Sequence, residues 1–510
     1  MMCIGMFMAI LDVQVVATSL PTIQDALRIP RDEMSWIQTA YLIAEVIAIP
    51  LTGFLTRLLT MRWLFVITIS IFTIASIGCA ASGSFHVLMV WRVVQGFSGG
   101  TLIPAVFSAV FLLFPHRLQG IATTIAGVLA VLAPTVGPVV GGWITQTYSW
   151  HWLFLINVAP GFVSAVAAAC LLPQDKAQLD RARTLDFVSI GCMALALAAL
   201  EVALKEAPDR GWLSPLVCGL LAVSVISGTA FVRRTLARPE PLVELRTLRD
   251  PAFAAGCLFS FILGIGLFGS VYMMPVFLAF VRGHDALEIG TTMLVTGIAQ
   301  LATAPLAVAL ERRLDARLLT AAGFIIFAVG LEMSAFQTPQ TDFAGMLWPQ
   351  IVRGVAIMFC LLPPTRMALG HLPQAAVPDA SGLFNLMRNL GGAIGIALID
   401  SVIYGRAPAL SQTIIGKLKA GDIDTAKFVG IPLQLFRHRT PGPLDPDTQA
   451  ILENMVRHAA FARAMNEAWM LAAALTIAAL PALLLVGTLD SSRSYRQCSD
   501  RNHNPVGGRR

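Results

Sequence analysis

An apolar run of about 20 residues, long enough as a helix to cross the roughly 30 Å hydrocarbon core of a bilayer, recurs fourteen times along this chain of 510 residues. The runs fall at 2–20, 35–56, 63–82, 86–112, 120–146, 151–172, 185–204, 213–232, 252–281, 288–310, 316–336, 343–364, 380–404 and 466–489. A backbone deprived of water must satisfy its own polar groups, so each run is expected to be a transmembrane helix. Charged residues make up 13% of the chain, about half their share of ordinary globular domains, which excludes a soluble fold. No ladder of short alternating strands appears, which excludes a barrel. The first run starts at Met1 with no basic lead-in and no small-residue cleavage site behind it. It is therefore expected to be a span and not a signal peptide, with a numbering that starts late.

An even number of spans puts both termini on one side. With that side cytoplasmic, the inside loops and tail hold twenty lysines and arginines, among them Arg57, Arg62, Lys176, Arg181, Arg183, Arg312 and Arg493. The short outside loops hold five, Arg28, Arg31, Lys205, Arg210 and Arg282. That asymmetry satisfies the positive-inside rule and accounts for the net charge of +6 without a nucleic-acid partner. The remaining outside segment, 405–465, breaks at Thr440-Pro441-Gly442-Pro443-Leu444-Asp445-Pro446 and contains stretches such as Ile451–Ala464 that suit short amphipathic helices. It reads either as a tether or as a docking surface. Seven of the eight cysteines lie in apolar runs and no CxxC pair occurs, so they are small buried hydrophobes.

Within the fifth run, Ala133 to Gly142, Pro134 and Pro138 share a helix face, as do Gly137 and Gly141, because residues four apart stack one above the other. Prolines are tolerated in a span because neighbouring helices re-satisfy the freed backbone groups, and glycines admit another backbone closely. This helix is expected to be bent, tightly packed and mobile. A parallel repeat is also visible. Val94-Gln95-Gly96-Phe97, with Pro104 after it, is echoed by Val352-Arg353-Gly354-Val355 with Pro363, and the glycines of run five by Gly391-Gly392-Ala393-Ile394-Gly395.

The string Gly137-Pro138-Val139-Val140-Gly141-Gly142 resembles the antiporter motif of the major facilitator superfamily (MFS). Upstream, Arg92-Val93-Val94-Gln95-Gly96-Phe97-Ser98-Gly99-Gly100 resembles the RxxQGxxGG motif that precedes it there. Leu11-Asp12 with Ser19-Leu20-Pro21-Thr22-Ile23 looks like the first-helix signature of the superfamily's fourteen-span drug–proton antiporters, the EmrB/QacA type. The resemblance implies an all-α integral membrane protein of MFS fold, with two six-helix bundles and two extra helices between them. The bundles would occupy 1–172 and 251–489, the inserted pair 173–250 and a cytoplasmic tail 490–510. It further implies an inner-membrane exporter of small lipophilic toxic compounds, driven by protons, without catalysis or cofactor, and partnered by a periplasmic adaptor. A dedicated exporter of one metabolite or siderophore-like compound is the alternative; a scaffold or enzyme is a more distant one.

Ionisable groups inside spans are costly and mark function. Asp12 and Glu45 lie near the middle of the first two runs. A carboxylate stripped of water holds its proton more readily, the property a proton-coupled carrier needs. By the resemblance, Asp12 and Arg92 are the coupling residues, against the plainer reading of helix ties. Glu45, Gln95, Trp36, Tyr41, Arg353 and Arg388 are the candidate substrate cavity, the last two as counter-ions or as donors to backbone carbonyls. Glu201, Glu332 and Asp400 lie nearer span ends and are expected to snorkel.

The segment Gly53 to Arg62 resembles the superfamily's GxLaDrxGrr loop, but Arg57 stands at its acidic position and Thr60 at its second glycine. In the family that acid latches one conformation across the two halves, so the latch is in doubt, while Gly53 and Arg62 keep packing and surface-anchoring roles. Met274-Pro275 resembles a proline-containing cavity segment, with Ala279 where a glutamine is often found. Gly264-Ile265-Gly266-Leu267-Phe268-Gly269 spells GxGxxG inside a span with no preceding strand, so it is not a phosphate loop. No GxxxxGK[ST], HExxH or metal-ligand cluster occurs, which argues against an ATP-driven pump and a metalloenzyme.

Overall fold

The computed structural model describes residues 1–30, 33–175, 177–178, 185–238, 241–311, 313–437 and 446–484. Arg31, Lys176, Arg181, Arg183, Arg312, the break at 440–445 and the tail 490–510 lie outside them. The helices are α1 (Met2–Leu27), α2 (Trp36–Ala80), α3 (Phe85–Leu113), α4 (His116–Thr147), α5 (Trp152–Leu155), α6 (Val158–Leu171), α7 (Phe187–Arg210), α8 (Pro215–Ala237), α9 (Pro251–Phe277), α10 (Ala286–Glu311), α11 (Ala316–Met333), α12 (Phe343–Leu369), α13 (Val377–Lys419), α14 (Ile423–Val429), α15 (Leu433–Arg437) and α16 (Pro446–Ala478). Twelve helices among the described residues are long and apolar enough to cross a membrane, and the Met2–Ala17 stretch of α1 is apolar as well. Because α2 carries two of the expected spans, the architecture is compatible with fourteen.

At about 1.5 Å per residue, the 45 residues of α2 are twice what a bilayer needs. The chain reverses at Thr60, whose φ of 73° and ψ of 160° are non-helical. Gly99 accordingly faces both Tyr41 of the first arm and Phe72 of the second. That backbone region is essentially glycine's own, and a residue with a Cβ held there carries strain of about 1–3 kcal/mol. Thr60 gains little in return, since its Oγ1 is buried without a partner. Thr60→Gly is therefore expected to raise the melting temperature of the detergent-solubilised protein by a few degrees, after deducting about 0.5–1 kcal/mol for glycine's greater freedom when unfolded. A lower melting temperature would show that the turn holds no strain.

One apolar cluster joins Met6, Phe65, Phe72 and Phe107 of the first half, and another joins Phe259, Phe324, Phe359 and Trp469 of the second. In each half the glycine-rich fifth helix is shared. Helix α4 packs on α1 of its own half and α10 of the other, while α13 packs on α9 of its own half and α2 of the other. The repeat read from sequence is thus present in three dimensions. Gly96 allows α3 to approach the carbonyl of Tyr41 in α2, as Gly354 allows α12 to approach that of Thr296 in α10. Helix α4 remains helical through Pro134 and Pro138 without a break. Gly137 lies on Gln14 of α1, while Thr135 and Val139 meet Gly297 and Gly290 of α10.

Of the inserted pair, α7 contacts both α2 and α13. Asp186 staples it to α8, accepting from Ser189 N at 3.3 Å and from Arg234 Nε at 2.6 Å. The Arg234 guanidinium, more than the Ser189 donors, holds its carboxyl well below the usual carboxylate range. A depressed native value means that this staple stabilises above the unfolded value and is lost as pH falls from there through the native one.

The segment 405–465, read as a tether or a docking surface with short helices such as Ile451–Ala464, is helical over most of its described length. Helix α13 continues to Lys419 and α16 begins at Pro446, so both extend beyond the expected span ends. Ile414, Leu418, Val429, Val456 and Ala459 close a small core between them, and Arg406 Nε meets Glu467 Oε2 at 2.8 Å.

Candidate functional site

Call the face where α1 begins proximal and the opposite face distal. In the first half, Asp12 and Arg92 are buried, 1% and 0% exposed. Arg92 Nη1 donates to Asp12 Oδ2 at 2.6 Å, while Gln95 Nε2 and Asn157 Nδ2 donate to Asp12 Oδ1 at 2.9 and 2.7 Å. Arg92 Nε donates to the Ile37 carbonyl at 3.1 Å, and Gln95 Nε2 also reaches Ser76 Oγ at 2.9 Å. The guanidinium lies 4.3 Å from the Tyr41 ring centroid. This node ties α1, both arms of α2, α3 and the start of α6 through one carboxylate. Asn157 and Ser76 escaped sequence reasoning; a lone asparagine behind Phe154-Leu155-Ile156 was the available signal.

Between the halves lies a cavity of about 400 Å³. Its walls are mostly apolar, from Leu42, Ile103, Pro134, Leu267, Phe268 and Ile357, with Glu45, Glu201, Lys205, Arg388 and Asp400 among the polar groups. The lining residues belong to the middle and distal parts of their helices. Glu45 is 8% exposed and has no hydrogen-bond partner among the described residues. Arg388 is 7% exposed with Nε and Nη2 unpartnered, its charge lying near the rings of Phe107 and Phe384. Asp400 accepts from Tyr272 Oη at 2.6 Å. Glu201 and Asp400 therefore do not snorkel as expected. Each faces the cavity because its helix, α7 or α13, borders the space between the halves.

Four other residues expected at the cavity lie elsewhere. Tyr41 and Gln95 are consumed by the Asp12 node, because the close α2–α3 contact at Gly96 turns both into the bundle. Trp36 stacks against Lys205 at the rim, 4.0 Å from its Nζ to the ring centroid. Arg353 is buried in the second half, against the Trp469 ring at 4.7 Å and Met274 Sδ at 3.6 Å. By the repeat it corresponds to Gln95. Where Gln95 meets Asp12, Arg353 meets a thioether, and Arg388 lies against two phenyl rings with Nε and Nη2 unpartnered, so neither is paired with an acid among the described residues. Met274 is likewise away from the cavity.

Proximally the halves are sealed. Val46, Ile49, Val110 and Phe111 of the first half pack with Phe253, Cys257, Leu383 and Phe384 of the second. Ser381 Oγ donates to the Pro104 carbonyl at 2.8 Å. Above all, Arg57 Nη1 pairs with Asp379 Oδ2 in the first turn of α13, beside Gly53, which abuts the same aspartate. The latch doubted from sequence is present with its charges exchanged. Asp379 also gains from the positive end of α13. Arg62 takes no part in it, lying 5.6 Å from the Trp63 ring.

A family model described as Major Facilitator Superfamily matches residues 2–396. Over 401 residues the chain is 38% identical to the "Colistin resistance protein EmrB" of Acinetobacter baumannii, covering 78% of each. It is 29% identical to the "Multidrug export protein EmrB" of Escherichia coli K12 over 402 residues, again 78% of each. Among solved structures, the human organic anion transporter MFSD10 superposes with a TM-score of 0.60 at 14% identity, covering 94% of this chain and 97% of that one, a likeness of fold alone.

Proposed function

Because this chain belongs to the Major Facilitator Superfamily, we propose that it is a multi-pass membrane transporter that exports small lipophilic compounds in exchange for protons, as a multidrug efflux carrier of the inner membrane. The observation that carries this reading is an apolar cavity between two repeat-related halves, holding the unpaired carboxylate of Glu45, with a fully buried carboxylate, Asp12, on the adjoining helix. The cavity reaches the distal side while the proximal side is sealed, which is one of the two arrangements an alternating-access carrier needs. A proton arriving at Asp12 removes the charge that holds Arg92, Gln95 and Asn157, and so loosens α1 from α3 and α6. Helix α4, with one face on α1 and the other on α10 of the opposite half, transmits that loosening to the interface.

With the termini cytoplasmic, the distal cavity opens to the periplasm, and the helical knob formed by α14, α15 and the outer turns of α13 and α16 is the surface for a periplasmic adaptor. The test is uptake of a fluorescent lipophilic cation into everted vesicles under an imposed pH gradient. Wild type is expected to accumulate it. Glu45→Gln is expected to lose cation uptake by about tenfold or more, since it removes one partner of a charge pair in a dry site, while a neutral substrate of similar size is retained. Unchanged transport of both would remove Glu45 from the substrate site. Uptake indifferent to the gradient across a panel of cations would sink the antiport reading and leave a dedicated metabolite exporter.

A further inference from the structure

We infer that the inserted helix α7 is part of the substrate site: Glu201 supplies a second carboxylate to the central cavity, so that a lipophilic cation is held between an acid of the first half and an acid of the inserted pair. The inference rests on the export reading above and adds to it a residue and a chemical class.

Helix α7 borders the cavity directly, contributing Glu201, Leu204 and Lys205 to its wall. It sits across the seam between the halves, against α2 on one side and α13 on the other. Its distal end is fastened to both. Lys205 Nζ stacks on Trp36 of α2, and Trp212 Nε1, just beyond the helix, donates to Ser401 Oγ of α13 at 2.8 Å. One helical turn below Lys205, Glu201 lines the same cavity as Glu45. Neither acid has a hydrogen-bond partner among the described residues, and Lys205 is directed to Trp36 and to Glu206, 3.8 Å away. Arg388, the other cation of the cavity wall, lies against the Phe107 and Phe384 rings, so no ion pair among the described residues offsets the two carboxylates, which repel each other in a medium that screens them poorly. A bound cation supplies the missing charge, and the surrounding apolar walls, Leu42, Val46, Leu204 and Leu267 among them, suit its hydrocarbon body. Asp400 is less suited to the role because Tyr272 already occupies one of its oxygens. A helix that merely filled the seam would place leucine or alanine at position 201.

The test is equilibrium binding by the purified full-length protein, using tetraphenylphosphonium as the cation and triphenylphosphine oxide as a neutral compound of similar shape. Glu201→Gln is expected to weaken binding of the cation by about tenfold or more and to leave the neutral compound unchanged, with Glu201→Asp recovering most of the loss. Melting temperatures near that of wild type establish that the variants are folded. If Glu201→Gln binds the cation as tightly as wild type while Glu45→Gln does not, Glu201 is a passive wall residue and the inference is overturned on its own. Equal weakening of cation and neutral compound by Glu201→Gln also overturns it, since that marks a change of cavity shape. If the wild type binds no cation at all, the inference falls together with the export reading.

Discussion

Asp12→Asn is expected to abolish gradient-driven transport in everted vesicles, leaving only passive leak, and to destabilise the first half at the same time. The carboxylate is the anion to which Arg92, Gln95 and Asn157 all donate. Neutralising it strands a guanidinium that is 0% exposed, and removing one partner of a buried pair costs about 3–5 kcal/mol. Lost transport alone would not separate a coupling residue from a helix tie. A second variant does so. Replacing both partners with apolar residues, Asp12→Leu with Arg92→Met, removes the stranded charge, and such replacements are often neutral or stabilising. The double variant is expected to recover thermal stability toward the wild-type value while uptake stays at the level of leak. Recovery of gradient-driven uptake along with stability would assign the pair a structural role only. Wild-type uptake per molecule by Asp12→Asn would remove it from the coupling machinery.

Reversing either charge of the Arg57–Asp379 pair is expected to open the proximal seal. Asp379 is 4% exposed on its side chain and Arg57 23%, so the pair is partly dry and only partly screened. Arg57→Asp places two carboxylates together, and Asp379→Arg two cations. A penalty of about 3 kcal/mol, at the low end for a buried pair, is enough to shift a two-state equilibrium by more than a hundredfold. Cys257, 3% exposed within the seal, is a native reporter. In a background lacking the other cysteines, each single reversal is expected to speed its alkylation and to lower transport by about tenfold. The double reversal restores the attraction. It is expected to recover most of the protection, less about 0.3–1 kcal/mol for a cation at the start of α13. A double variant no better protected than the singles would mean that the contact does not hold the seal.

How much of this was legible beforehand varies by kind of interaction. The spans were readable because a backbone in hydrocarbon can only be helical, and the length of an apolar run reports that directly. The node at Asp12 was half readable. A carboxylate and an arginine in mid-span advertise their cost, and the motif around Arg92 to Gly100 placed Gln95 beside them, whereas Asn157 carries no such mark. The cavity wall was the hardest to read. In a soluble helix the polar face and the apolar face differ, so periodicity tells which side is buried. In a span, the lipid side, the packed side and much of the cavity side are all apolar, so Trp36, Tyr41, Gln95 and Arg353 could not be sorted from Glu201 and Asp400 by pattern. Arg353 matched the repeat correctly, yet its setting could not be foreseen, because the sulfur of Met274 that faces it lies 79 residues away in sequence.

The sequence by itself determined an all-helical membrane fold, its repeated halves, the inserted pair and the family, since these follow from local apolar length, glycine and proline spacing, and short motifs. Only the tertiary structure decided which charges meet. Arg57 looked like the loss of a latch until α13 brought Asp379 to it from 322 positions away, and Glu201 looked like a residue reaching for interfacial water until α7 was seen lying across the seam. Both outcomes depend on helix packing, in which the contacts of a side chain are set by the neighbouring helix and not by its own.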